Sequence, residues 1–274
     1  MGFRTDHNNL IKDLEAKARR LRKSTLMVIR ERGMGWLGGS FSSADLITAL
    51  YFYQMRYDSQ KPKDKNRDRL VFSKAHSCEI VYSALAEAEF FPKEELQTYG
   101  HLKSRLQVHV DCLTPGVDYS GGSLGIGLSF AVGTAYGAHI SVAGRRARYR
   151  VYCIMGDGEC DEGQVWEAAR NASCYRLDNL TLIVDHNKFQ SHKAVEENLA
   201  EKFKIFGWET REIDGHNFSE IVDALDWILT VRNKPQAIIA HTKKGKGHPS
   251  LEGTNCHAVK LTDEILRDGL NALG

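Results

Sequence analysis

The chain has 274 residues, room for one large domain or two small ones. A hydrophobic share of 42% and a charged share of 26% are ordinary globular usage and exclude wholesale disorder. Thirty-seven Lys and Arg against 35 Asp and Glu leave +2, too little to grip nucleic acid by bulk charge. No run approaches the roughly 18 apolar residues of a membrane-spanning helix, and the amino-terminal stretch lacks a signal peptide's apolar core. The expectation is a soluble, cytoplasmic chain that binds neither membrane nor nucleic acid. The cysteines (78, 112, 153, 160, 174 and 256) form no CxxC pair and no regular spacing, which argues against a disulfide framework or a zinc site.

In chain order, Leu10, Leu14, Lys17, Leu21, Thr25 and Val28 fall at helical spacing, so residues 8–32 read as a long first helix. Gly33, Gly35, Gly38 and Gly39 predict a flexible loop after it. Ser43 then predicts the cap of a second helix through Ala44, Ile47, Leu50 and Tyr51. A polar loop over 58–69 leads to a short apolar run, Leu70 to Phe72. Small residues at 127, 131, 135 and 138 share one helical face, a pattern of close helix packing.

From Tyr149 the pattern becomes strand, helix, strand, helix, strand. Val151 to Met155 is a buried strand that stops at Gly156-Asp157-Gly158, and Val165, Ala168, Ala169 and Ala172 mark the next helix. Leu180 to Val184 follows as a strand ending in Asp185-His186-Asn187. Ile221, Ala224, Leu225 and Ile228 mark another helix, before a strand at Ala237 to Ala240. This order predicts an α/β fold: three layers, with a parallel sheet between helices on both faces. No Ser/Pro-rich linker divides it, so residues 1–274 read as a single domain.

Open parallel sheets bind ligands at the carboxyl ends of their strands. Two of those ends here carry oxygen ligands, Asp157 and Asn187. A carboxylate, a side-chain amide oxygen and a backbone carbonyl suit Mg²⁺ or Ca²⁺. Glycines on either side of Asp157 let a diphosphate approach the backbone. Gly-Asp-Gly alone is more often a tight turn. What raises it above a turn is the helix and the strand that follow, running into Asn187 after 28 intervening residues. An EF-hand loop is excluded because Ala168 stands where Glu is required, and GxGxxG breaks at Asp161.

The pattern resembles the thiamine diphosphate fingerprint, and IMGDGECDEGQVWEAARNAS resembles its transketolase version. The resemblance runs almost end to end. GGSFSSADLITALYF (38–52) is similar to GGSLSAADILTALYF, RDRLVFSKAH (67–76) to RDRFVLSxGH, and GGSLGIGLSFAVG (121–133) to TGSLGQGLSxAVG. HTKKGKG (241–247) resembles KTxxGxG, and Cys256-His257 resembles a later His position. It implies a thiamine diphosphate-binding fold that transfers a two-carbon ketol unit from a ketose (phosphate) donor to an aldose acceptor. Asp157, Asn187 and the backbone of Phe189 would hold Mg²⁺, with Ca²⁺ or Mn²⁺ able to substitute. His76, Gly122, Ser123, Leu124, Gly156, Gly158, Glu159, Asn187 and His257 would meet thiamine diphosphate. His76, His109, Glu162 and His257 would serve catalysis, with Glu162 coupling cofactors across a subunit interface.

A transketolase is about twice this length, its second domain binding the aminopyrimidine and supplying the activating glutamate. The resemblance therefore implies the amino-terminal subunit of a split transketolase, inactive alone and paired with a separate pyrimidine-binding chain, as a heterotetramer. Trp36 and Leu37 replace the His and Pro of the family's Gly-His-Pro-Gly, whose His contacts the sugar donor. Val108-His109-Val110 keeps only the His of a second Gly-His-Pro, Ile126 replaces a Gln, and Ala258 a Gly. Trp36 and His109 are thus the substrate-facing candidates, and the metal and diphosphate set is intact while the sugar-facing set is altered. Lys243, Lys244 and Lys246 read as a solvated loop. Two other readings stay open: another thiamine enzyme, such as a 2-oxo-acid dehydrogenase alpha chain or a synthase on a modified sugar, and a non-catalytic chain kept for assembly.

Overall fold

The computed structural model describes residues 2–140, 149–189 and 198–274, with side chains from residue 7 onward. Five strands form one parallel sheet: β2 (Arg69–Phe72), β3 (Val151–Gly156), β4 (Leu180–His186), β5 (Glu209–Asp214) and β6 (Gln236–His241), in the order β2-β3-β4-β6-β5. Two short segments, β1 (Met34–Gly35) and β7 (Val259–Lys260), pair antiparallel outside that sheet.

Alternation along each strand divides the core, because successive side chains point to opposite faces. Tyr152, Ile154, Ile183 and Ile238 pack beneath α1 (Gly2–Arg32), α3 (Ala44–Ala49), α4 (Cys78–Glu87) and α8 (Phe218–Trp227). Val151, Cys153, Met155, Leu182, Val184 and Ile239 face α5 (Ile126–His139), α6 (Gly163–Cys174) and α7 (Leu199–Ile205). A third cluster joins α1 to α2 (Leu37–Ser42) and α9 (Asp263–Ala272) through Leu26, Ile29, Leu37 and Leu266. The expected sheet with helices on both faces is what these clusters build.

Details differ from the sequence reading. The first helix begins at Gly2 rather than residue 8. Gly38 and Gly39 are not in a loop: they lie buried in α2, where only glycine fits. A Cβ at Gly38 would sit 2.3 Å from the Cys256 carbonyl oxygen, and one at Gly39 2.3 Å from Ser77 Oγ. Ser43 stands at the start of α3 but makes no capping bond; its hydroxyl turns inward to Gly39 O and Asp185 instead. The small stripe predicted on α5 packs as expected, with Gly127, Ala131, Ala135 and Ala138 all buried.

Candidate active site

Four strand ends converge on one cavity of about 300 Å³. β2 runs into Ser73-Lys74, β3 into Asp157, β4 into Asn187, and β6 into the turn that carries Lys244. Gly39, His76, Leu124, Gly156, Gly158, Glu159, Asp161, Glu162, Phe189 and His257 complete the lining.

The floor is buried and charged. Asp185 is fully buried and ion-paired with Lys74, while Ser42 Oγ (2.6 Å), Ser43 Oγ (3.0 Å) and Thr242 Oγ1 also donate to it. Burial alone would raise its pKa; the Lys74 charge and these bonds hold it below the usual carboxylate value. Asp157 has the opposite balance. Burial and then the nearby negative charge of Asp185 push it up to about 6, against hydrogen bonds from the backbone N–H groups of Lys188 (2.6 Å) and Gly158 (2.9 Å). Among the described residues it has no ion-pair partner. Asn187 is buried beside it, its amide oxygen accepting from the Phe189 N–H at 3.1 Å.

The cations complement this. Lys244, read from sequence as part of a solvated loop, is in fact buried in the cavity wall, its Nζ 5.2 Å from the Phe189 ring centre. Burial and the Lys74 charge lower its pKa. Among the described residues it has no ion-pair partner either. Burial and Lys74 push His76 down to about 3, and burial and Lys244 lower His257, so both rings are neutral near pH 7. The site thus sets the Asp157 carboxylate against the Lys244 ammonium, neither with an ion-pair partner among the described residues. Asp157, Asn187 and Phe189 could hold a divalent ion, and Lys244 could balance an anionic group beside it.

The predicted residues fall at different depths. Asp157, Asn187, Phe189, Gly156, Gly158, His76, Leu124, Glu162 and His257 all line the cavity. Glu159 lines it too, but its carboxylate is occupied: it accepts from the N–H groups of Gly156 (3.0 Å) and Gly125 (2.9 Å) and from Ser73 Oγ. It shapes the turn instead of presenting a charge to a ligand. Gly125 begins α5 at φ 77°, and a Cβ there would meet Glu162 Cβ at 3.0 Å, so glycine is what seats α5 against the Asp157 turn. Gly122 and Ser123 are exposed and stand outside the lining. His109 is also outside it, its ring 5.7 Å from that of Trp36, which in turn lies 6.2 Å from His76. Sequence reasoning missed Lys74, although it stands inside the RDRLVFSKAH segment, because a surface lysine and a buried one look alike there. Asp161, an exposed residue at the edge of the lining, was also missed.

Residues 14–274 match the family model described as transketolase, thiamine diphosphate binding domain. The chain is 42% identical over 260 residues to the 6-deoxy-6-sulfo-D-fructose transketolase subunit of a Clostridium species, covering 92% of this chain and 93% of that one. It is 36% identical over 248 residues to an apulose-4-phosphate transketolase subunit from Phocaeicola vulgatus, covering 89% and 87%. Its fold superposes on transketolase from Campylobacter jejuni with a TM-score of 0.90 at 31% identity, covering 96% of this chain and 43% of that structure. The chain belongs to the transketolase family, as its thiamine diphosphate-binding domain. Within that family it is a transferase chain of the ketol-transferring type, similar over nearly its whole length to named transketolase subunits.

Proposed function

We propose that this chain is the diphosphate-binding half of a two-chain, cytoplasmic transketolase. The observation that carries this reading is the placing, across one cavity, of the buried Asp157 carboxylate and the buried Lys244 ammonium, neither of which has an ion-pair partner among the described residues. Asp157, Asn187 and the Phe189 carbonyl would hold Mg²⁺, and the turn at Gly156 and Gly158 would admit the diphosphate. Thiamine diphosphate, when bound, supplies the electron sink for cleaving the ketose and carrying its two-carbon unit. The chain's own residues orient that group and line one wall of the sugar channel. Neutral His76 and His257 can hold or pass a proton at the cavity mouth.

The partner would supply the pyrimidine-binding half and its glutamate, in a heterotetramer of two chains of each kind. An apolar strip beside the cavity supports a docking role: Leu124, Ile126, Phe130, Tyr136 and Ile140 are all exposed along and beside α5. The donor would be a modified ketose. Trp36 offers one N–H and a flat apolar face where a histidine would offer an acceptor as well, and the two subunit relatives are named for 6-deoxy-6-sulfo-D-fructose and apulose-4-phosphate. The test is reconstitution. The purified chain is expected to show no ketol transfer alone and to gain it when a pyrimidine-binding chain is added; full turnover by the chain alone would sink the two-chain reading.

A further inference from the structure

Four rings stand in a row, of which His257 and His76 line the cavity while Trp36 and His109 lie outside its lining. His257 lies 5.0 Å from His76, His76 6.2 Å from Trp36, and Trp36 5.7 Å from His109, centre to centre. Trp36 sits on the turn before α2, with non-helical φ −96° and ψ 63°. The indole N–H groups of Trp166 and Trp208 donate to the Cys160 and Ala169 carbonyls, but among the described residues that of Trp36 has no acceptor. Its polar atom does not hold this ring in place. The backbone does: the Trp36 N–H donates to Glu79 Oε1 at 2.9 Å.

Glu79 lies in the first turn of α4, three residues after His76, and is fully buried. Its carboxylate also accepts from Tyr99 OH at 3.1 Å and Ser40 Oγ at 2.9 Å, so none of its three side-chain and backbone partners is charged. Burial raises its pKa. An apolar side chain would fill such a position at less desolvation cost. The neighbouring chain is shaped around the carboxylate as well. A Cβ at Gly35 would lie 2.6 Å from Glu79 Oε1, so glycine there is what lets the turn come close enough for the Trp36 bond. On its other side the same turn is tied down by Gly38 N–H donating to the Cys256 carbonyl at 3.0 Å, next to His257.

We infer that Glu79 is a positioning residue that pins the Trp36 turn to the His76 end of α4 and so sets the wall facing the donor sugar. The consequence for the sugar rests on the reading of Trp36 as that wall; the pinning itself does not. Hydrogen exchange of the Trp36 amide, measured on the full chain without cofactor, reads the bond directly. Glu79→Met keeps the length and removes both acceptors. Glu79→Asp keeps a carboxylate that is too short to reach. Both are expected to speed Trp36 exchange about ten-fold or more relative to the central-strand amide of Cys153, and Glu79→Gln, which retains an acceptor, is expected to restore most of the protection. Should Glu79→Met not fold, Glu79→Asp carries the comparison. Unchanged Trp36 exchange in a folded variant, or acceleration no greater than at Cys153, overturns the assignment. In the assembled enzyme, Glu79→Asp is expected to raise the donor KM several-fold with little change in kcat. A loosened Trp36 amide with an unchanged donor KM would confirm the pinning and overturn its role in sugar selection.

Discussion

The floor and the rim of the cavity are built on opposite principles. The floor is buried and tightly hydrogen-bonded: Lys74, Asp185, Ser42, Ser43 and Thr242 form one closed network beneath Asp157 and Asn187. The rim is more open, held by ring contacts and backbone bonds, and it is where the sequence departs from the family, at Trp36 above all. The difference teaches where each kind of specificity resides. Charge matching for a diphosphate tolerates little change, because any lost partner leaves a buried charge behind. A sugar-facing wall can change shape at small cost to the fold.

The largest expected effect strikes the floor. Lys74→Met leaves Asp185 buried and unpaired, and should destabilise the chain by about 3–5 kcal/mol in urea unfolding. A loss below about 1 kcal/mol would show that the floor is not a tightly coupled network. A second buried pair, outside the cavity, calibrates this. Burial would raise the pKa of Asp45, but the charge and bidentate bonds of Arg22 and the bond with His216 hold it at about 2. Its folded value lies below the usual 3.8, so it contributes stability above pH 4 that is lost as pH falls through about 2. That contribution is about 2 kcal/mol. Asp45→Asn should therefore be destabilised at pH 6, with the gap closing towards pH 2; a gap that widened on acidification would reverse the sign assigned to Asp45.

At the rim, effects should appear in selection, not in stability. Trp36→His should shift relative kcat/KM between a modified ketose and xylulose 5-phosphate by about ten-fold towards the latter. If the wild-type complex already uses xylulose 5-phosphate well and the variant behaves identically, Trp36 is a packing residue. The smallest effect on the fold is expected at the exposed strip. Phe130→Glu should change chain stability by no more than about 0.5 kcal/mol, yet weaken co-sedimentation with the pyrimidine-binding chain. Unimpaired assembly would move the docking face elsewhere.

Asp157 and Asn187 were legible in the sequence because they belong to local patterns at strand ends, whereas the network beneath them was not, since Lys74, Ser42, Ser43 and Thr242 reach Asp185 from separate segments. The strands β3, β4 and β6 were legible for the same reason: they are continuous apolar runs. The edge strand β5 was not, since Glu209, Arg211, Glu212 and Asp214 carry charge where an edge meets water. Lys244 escaped because its neighbours Lys243 and Lys246 are indeed solvent-facing or half-buried, and only the turn after β6 carries it inward. Glu79 escaped for a different reason. Its partners come from α2 and from the segment around Tyr99, and no spacing within α4 points to them. Trp36 was visible as a departure from a motif, but the rings it meets are set by tertiary contact.

In the proposed function, Asp157 receives a divalent ion that would anchor a diphosphate in this cavity. Calorimetric titration of thiamine diphosphate into the chain mixed with its pyrimidine-binding partner tests it directly. Saturable binding that requires Mg²⁺ in the wild type, and no measurable binding in Asp157→Ala despite an unchanged assembly, is the predicted result. Binding by Asp157→Ala with wild-type affinity and the same Mg²⁺ dependence would contradict the account.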